Sequence, residues 1–190
     1  MKLTDIAEVL PGYPFRGAIV PDSDGAVAIV QVKDLTQGEP LTDTSSLVQT
    51  AHNLSSYDTR LRKGDVLIAA RGMKSSPFRA SVFDAEDKEV VTSSSVHIIR
   101  TTSPKVMPEY LALFLNSHGG QLMLAGMVTG SYIGTLPRRE LGHLKIPAIS
   151  IEKQQALVAL SNTIRQQQEL LDRSKEIRQN ILNAVTRTVC

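Results

Sequence analysis

"GHLKIPAISIEKQQALVALSNTIRQQQEL", residues 142–170, decides how the chain is organised. A short apolar run, Leu144 to Ile146, is cut by Pro147. Ser150 then supplies an N-cap, and Glu152 places an acid in the first turn, where the helix dipole favours one. The pattern predicts one long helix from near Ile151 to about residue 186. At 1.5 Å per residue that is roughly 50 Å, longer than a domain of this size is wide. Such a helix must project, or pack along something of its own length. Counting by sevens from Leu157 gives Leu157, Ile164, Leu171, Arg178 and Val185, with companions Leu160, Gln167, Ser174 and Ile181. This is a coiled-coil register, apolar at both ends and polar in the middle. A lone helix of this composition is marginal in water, so its stripe needs cover. One small domain can hardly supply cover along the whole length. A helix partner is therefore expected, with Leu157, Leu160, Ile164, Gln167, Leu171, Ile181 and Val185 as dimerisation positions. The polar seam positions would specify register at some cost in stability.

Upstream of this helix the pattern is mostly β. "KLTDIAEVLPG" reads as a short helix, capped by Thr4 and stopped by Pro11-Gly12. "GAVAIVQVKDL", residues 25–35, reads as a strand, because β-branched residues suit a pleated surface. "RKGDVLIAARG", residues 62–72, reads as a turn at Lys63-Gly64-Asp65 feeding a buried strand that leaves the core at Arg71-Gly72. "RASVFDA" and "VVTSSSVHIIRTT" are further strands, joined by the polar turn "EDKE". "MPEYLALFLNSHGGQLML" is helical after Pro108 and interrupted from Asn116 to Gly120. "GSYIGTLPRRELGHLKIP" returns to irregular structure with a short strand. The expected fold class is α+β: a β-rich domain with a short helical part over residues 1–149, then a long coiled-coil helix over 150–190.

With 190 residues, 42% apolar and 21% charged, the chain fits one domain, or one domain with an appendage. No stretch approaches the roughly 20 apolar residues of a membrane span. The opening "MKLTDIAEVL" carries acids where a signal peptide needs an unbroken apolar segment, so a cytoplasmic protein with no membrane partner is expected. The one cysteine, Cys190, cannot form an internal disulfide.

A formal charge of +2 does not argue for nucleic acid, but the charge is uneven. Residues 1–50 hold three bases and seven acids. Residues 60–80 hold Arg60, Arg62, Lys63, Arg71, Lys74 and Arg79 against the single acid Asp65. A local basic block attracts phosphates even on a nearly neutral chain. The alternative is a solvated loop whose charges are balanced by acids elsewhere in the fold.

Catalytic constellations are missing from the sequence. It has no Gly-rich phosphate loop. His52, His97, His118 and His143 are scattered without ligand spacing, and no serine sits in a nucleophile elbow. Asp22 and the triplet Glu86-Asp87-Lys88 mimic the acid, acid and lysine of a metal-dependent nuclease. That chemistry needs carboxylates on adjoining strands around the cation, whereas these sit in turn-like loops. No metal or cofactor is expected.

Binding remains. "ARGMKSSPFRA", residues 70–80, offers Arg71, Lys74, Ser75, Ser76 and Arg79, donors that phosphates and base edges accept. "TGSYIGTLPRRE", residues 129–140, offers Ser131, Tyr132, Arg138 and Arg139. "GYPFRG" offers Arg16 among aromatic residues. From the residues alone two readings stand: a non-catalytic DNA-binding protein, or a protein-interaction module with coiled-coil dimerisation and no DNA role.

The order of "LRKGDVLIAARG", "VVTSSSVHIIRTT", "MPEYLALFLNSHGGQLM" and "GSYIGTLPRRELGHLKIPAISIEKQQALVALSNTIRQQQELL" resembles the target-recognition domain and following helical region of type I restriction–modification DNA-specificity (S) subunits. The resemblance covers nearly the whole chain. It implies a subunit without catalytic activity, on which modification (methyltransferase) subunits dock. In that family two recognition domains and two antiparallel helical spacers are arranged with pseudo-twofold symmetry, and the spacers fix the distance between two half-sites on double-stranded DNA. This sequence carries one recognition domain and one helix. It looks like a half-subunit, which implies a homodimer reading a bipartite target.

Overall fold

The computed structural model describes residues 1–51, 59–73, 78–86, 89–130 and 133–189. Its centre is a four-stranded antiparallel sheet in the order β1-β8-β4-β6: β1 Ala7–Pro11, β8 Val96–Thr101, β4 Val66–Ala69 and β6 Ala80–Val82. Strand β4 is inner, and all four of its residues are buried, as its unbroken apolar run requires. The turn before it uses Gly64 at φ 89°, a left-handed conformation that costs glycine little. A second sheet sets β2 Val27–Val30 between β3 Val48–Thr50, antiparallel, and β7 Val90–Thr92, parallel. A two-stranded ribbon pairs β5 Arg71–Met73 with β9 Ile133–Thr135.

Helices α1 Pro108–Asn116 and α3 Arg138–Gly142 pack on the central sheet, and α2 His118–Met127 packs on both of them. The main core joins Leu67, Ile68 and Ile98 of the sheet to Leu111, Leu115, Leu124 and Leu141 of the helices. Val30, Leu35 and Val90 enter the same core from the second sheet and its flanks.

The α+β class expected from the sequence is the class found. Several elements differ in detail. The N-terminal segment is not a helix: a single 3-10 turn at Leu3–Asp5, with Lys2 rather than Thr4 at its cap, leads straight into β1. Short apolar runs do not separate the helical from the extended period. Here pairing with β8, Ala7 opposite Thr101 through Pro11 opposite His97, settles it. Pro11 ends an edge strand, where the missing N–H is tolerated. The 25–35 strand stops at Val30, and Asp34 turns the chain by accepting from the Gln31 N–H at 2.8 Å. "VVTSSSVHIIRTT" holds two strands, with Ser93 to Ser95 as the turn between them. The helical interruption is Ser117 alone, whose hydroxyl accepts from the Gly120 N–H at 3.1 Å to cap α2.

The last helix, α4, runs Ile151–Val189, 39 residues, about 60 Å. Ser150 stands at its start, and a hydrogen bond from the Ser150 side chain holds the Glu152 carboxyl below its usual range. Its base is tied to the other end of the chain: the Met1 ammonium donates to the Ile146 carbonyl at 3.0 Å, and the Leu3 N–H to Leu144 at 2.8 Å. Only the first turns of α4 touch the body. Beyond Arg165 every described side chain is exposed except Ser174, which is half-buried. No helix among the described residues is long and apolar enough to cross a membrane.

Candidate nucleic-acid interface and partner helix

The ribbon joins two segments that the sequence offered separately. Arg71 lies opposite Thr135, Gly72 opposite Gly134 and Met73 opposite Ile133. The backbones of Thr129 and Thr135 exchange hydrogen bonds of 3.0 and 2.9 Å on the β9 side. A Cβ on Gly134 would sit 2.4 Å from the Val128 side chain, so the close approach there requires glycine. The Leu136 N–H donates to the Ala70 carbonyl at 2.9 Å and fastens the ribbon to the end of β4.

Arg71 is exposed on the ribbon. Arg138 and Arg139 are exposed in the first turn of α3, directly after it. Lys74, Ser75, Ser76, Ser131 and Tyr132 lie outside the described residues. Arg79 follows on the return into β6; it is exposed, and its Nη1 donates to the Leu35 carbonyl at 3.2 Å. Arg16 belongs elsewhere. It is exposed after Tyr13 and Phe15, whose rings sit 4.7 Å apart and pack on Val27, Ile29 and Val91 of the second sheet.

Part of the basic block is spent internally. Arg60 pairs with Glu89 at 3.1 Å, and Lys63 pairs with Glu86 at 2.7 Å and Asp84 at 3.2 Å. These acids, Glu86 first, push the Lys63 ammonium above its ordinary pKa. The balanced-loop alternative thus holds for Arg60 and Lys63. The nuclease-like triplet loses its first acid to the same lysine, and Asp87 and Lys88 lie outside the described residues. Asp22 accepts from the Asp24 N–H within its own turn at 3.0 Å. Among the described residues no three His, Cys, Asp or Glu side chains group as a metal site requires.

His97 sits where the ribbon meets the central sheet. Its Nε2 lies 2.9 Å from the Leu136 carbonyl, and its buried Nδ1 has no hydrogen-bond partner among the described residues. Burial lowers its pKa, the Leu136 bond opposes this, and the Arg138 charge lowers it further. The unfolded chain therefore takes up a proton more readily than the folded one. Stability from this group is full above about pH 6.5, the ordinary histidine value, and declines as pH falls toward the folded value. Urea midpoints at about pH 7.5 and about pH 5.5 should differ more for the wild type than for His97→Gln, which keeps a donor for Leu136 and cannot titrate.

Sequence reasoning missed the side-chain amides. Asn116 accepts from the Ala80 N–H at 3.0 Å and donates to its carbonyl at 2.7 Å. Gln121 does the same for Phe78 at 2.9 and 3.1 Å. Together they imitate a neighbouring strand along the chain that enters β6. Gln154, wholly buried, accepts from the Met107 N–H at 2.9 Å and donates to Lys105 and Ile149 at 2.8 and 3.1 Å. One helical glutamine is thus an anchor to the body. Arg165 adds a second hold, donating to the Gly38 carbonyl at 3.0 Å.

These interactions define two faces of α4. Gln154, Val158, Ser161 and Arg165 are buried or half-buried against the body. At 100° per residue they span an arc of about 60°. The seam positions Leu157, Leu160, Ile164, Leu171, Ile181 and Val185 are each exposed, and all but Leu157 lie roughly 90° or more from the centre of that arc.

A sheet-and-ribbon body followed by one very long helix is a fold this chain shares with part of solved subunits of type I restriction–modification systems. It matches the HsdS subunit from Thermoanaerobacter tengcongensis with a TM-score of 0.61 and 20% identity, over 92% of this chain and 39% of that one. It matches the S subunit from M. genitalium with 0.59 and 13%, over 95% and 42%. A further match, 0.61 and 20% over 91% and 39%, is to a structure of the type I system described for its complex assembly and conformational transition. The chain spans about two fifths of the length of the solved chains it matches. No family model matches it, and no curated protein does. The resemblance read in the sequence holds at the level of the fold.

Proposed function

We propose that this chain is a non-catalytic DNA sequence-recognition subunit of a type I restriction–modification complex, with catalysis left to methyltransferase and nuclease partners. Residues 1–149 read one part of the target. The helix over 150–190 is spacer and dimer interface, so that two copies read a bipartite site on double-stranded DNA. The observation that carries this reading is the ribbon: on a fold shared with solved S subunits, it unites the two segments rich in Arg, Ser and Thr. Arg71, Arg138 and Arg139 offer exposed cations there for phosphate or base edges. Lys74, Ser75, Ser76, Ser131 and Tyr132 adjoin the ribbon's last pair in sequence and are proposed as DNA-binding residues on their side-chain chemistry. Arg16 and Arg79 would bind DNA separately from it.

The internal pairing of Arg60 and Lys63 favours the other reading, an interaction module without DNA. Retention of randomised duplex DNA, measured against salt with a co-expressed methyltransferase subunit, separates the two. Replacing Arg71 and Arg138 by alanine should flatten the log–log salt dependence by about one for each phosphate no longer neutralised. Absence of any duplex retention with the methyltransferase subunit present would remove the DNA reading.

A further inference from the structure

The ribbon has a glycine pair at its centre, Gly72 opposite Gly134. Facing residues of an antiparallel pair point to the same side of the ribbon, and their neighbours along each strand point to the other. A glycine pair therefore leaves one side of the ribbon bare at its middle. Phe78 fills that side. A Cβ built on Gly72 would lie 3.9 Å from Cε1 of the Phe78 ring, and one on Gly134 would lie 3.8 Å from its Cζ. Phe78 is 4% exposed, and an aromatic ring laid on strand glycines pins them where they have no side chains to pack. Arg71 and Thr135, one step along, belong to the opposite side of the ribbon, and Arg71 is exposed there.

Phe78 is itself fixed by α2. The Gln121 amide oxygen accepts from the Phe78 N–H at 2.9 Å. The amide nitrogen donates to the Phe78 carbonyl at 3.1 Å and to the Leu115 carbonyl of α1 at 2.6 Å. One side chain thus ties the residue beneath the ribbon to two helices. The end of α2 meets the ribbon directly as well, since a Cβ on Gly134 would fall 2.4 Å from Val128.

We propose that Gln121 and Phe78 are positioning residues for sequence readout: they set the height of the ribbon over the body, and with it the reach of Arg71 toward DNA. This rests on the DNA reading above and deepens it. Both act through the ribbon, because Phe78 is buried and the Gln121 amide is spent on backbone groups. Attraction between a cation and the phosphates acts over about 10 Å at ordinary salt and tolerates a small shift of the ribbon. A hydrogen bond to a base edge does not, because it holds only between about 2.7 and 3.2 Å. Loosening the grip should therefore cost selectivity and spare the salt dependence.

The probes are a randomised duplex pool and the same pool after enrichment on the parent chain with a co-expressed methyltransferase subunit. The readout is retention of the enriched pool over the randomised one, per folded protein. Gln121→Met keeps the length of the side chain and removes its hydrogen bonds. Phe78→Leu keeps most of the buried apolar volume and withdraws the ring from the glycine pair. Each should lower the ratio by about tenfold, the loss of roughly one base contact, with the parent's salt slope retained. Arg100→Met, which loosens the fold at the other end of β4 from the ribbon, should leave the ratio as in the parent. An unchanged ratio in either ribbon variant overturns the proposal. So does an equal fall in Arg100→Met, which would make the effect one of general stability. A salt slope that falls together with the ratio would mean that the two residues hold phosphate contacts in place, and it overturns the assignment to readout. A parent that retains no duplex, or enriches no sequence, removes the DNA reading itself, and the proposal goes with it.

Discussion

Arg100→Met is expected to destabilise the fold by about 3–5 kcal/mol, the range seen when one partner of a buried ion pair is removed. The Asp65 side chain is 2% exposed and the Arg100 side chain 16%. Asp65 accepts from Arg100 Nε at 2.8 Å, from Arg100 Nη2 at 2.7 Å and from the Arg62 N–H at 2.8 Å. Arg100 Nη2 also donates to the Arg60 carbonyl at 3.0 Å. The pair therefore fixes the Lys63-Gly64 turn against β8 and sets where β4 begins. Methionine keeps much of the arginine stem and supplies no donor, so the Asp65 carboxylate is left buried with only the Arg62 N–H. Urea denaturation should show a lower midpoint with an unchanged slope, because the surface exposed on unfolding hardly changes. A loss below about 1 kcal/mol would mean that water replaces the guanidinium and that the pair is not truly desolvated.

That pair shows what a single sequence conceals. Asp65 is legible as a turn residue, because Lys63-Gly64-Asp65 precedes an apolar run. Its partner lies 35 residues away on another strand, and no local pattern announces it. The same contrast recurs through the fold. Strand β4 is readable because Val66, Leu67 and Ile68 are buried on both faces, so apolarity is continuous. Helix α4 is readable from Ser150, Glu152 and the heptads, and α1 from Pro108. The N-terminus misleads because Ile6, Val9 and Leu10 fit either period, and only pairing with β8 chooses. The ribbon is unreadable: its strands are Arg-Gly-Met and Ile-Gly-Thr, three residues each, with no alternation to mark them. Its two halves nonetheless both stand out by side-chain chemistry, since Arg, Ser and Thr carry their meaning without regard to pairing. Gln154 escapes for the opposite reason. Glutamine looks the same on a wet face, in a seam or in a core, and only its three hydrogen bonds distinguish it.

Ile164→Asp should separate the dimer and leave each body folded. Ile164 is 57% exposed in the single chain, so an acid there meets water while the chain is alone. In the proposed dimer it lies in the apolar seam against the second copy, and symmetry repeats the layer. Two apolar layers then no longer close, at about 1.5–3 kcal/mol each, which weakens association by roughly 100-fold to 10,000-fold. Sedimentation should report monomer at concentrations where the parent is dimeric, and the unfolding free energy of the body, from urea denaturation, should stay within about 0.5 kcal/mol of the parent, as for a surface substitution. DNA binding should follow association. A bipartite target held by one body at a time loses the effective concentration that linkage supplies, so Ile164→Asp lowers affinity for a two-part site far more than for either half. Equal affinity of parent and variant for a two-part site would show that each body reads DNA alone and that α4 serves another end.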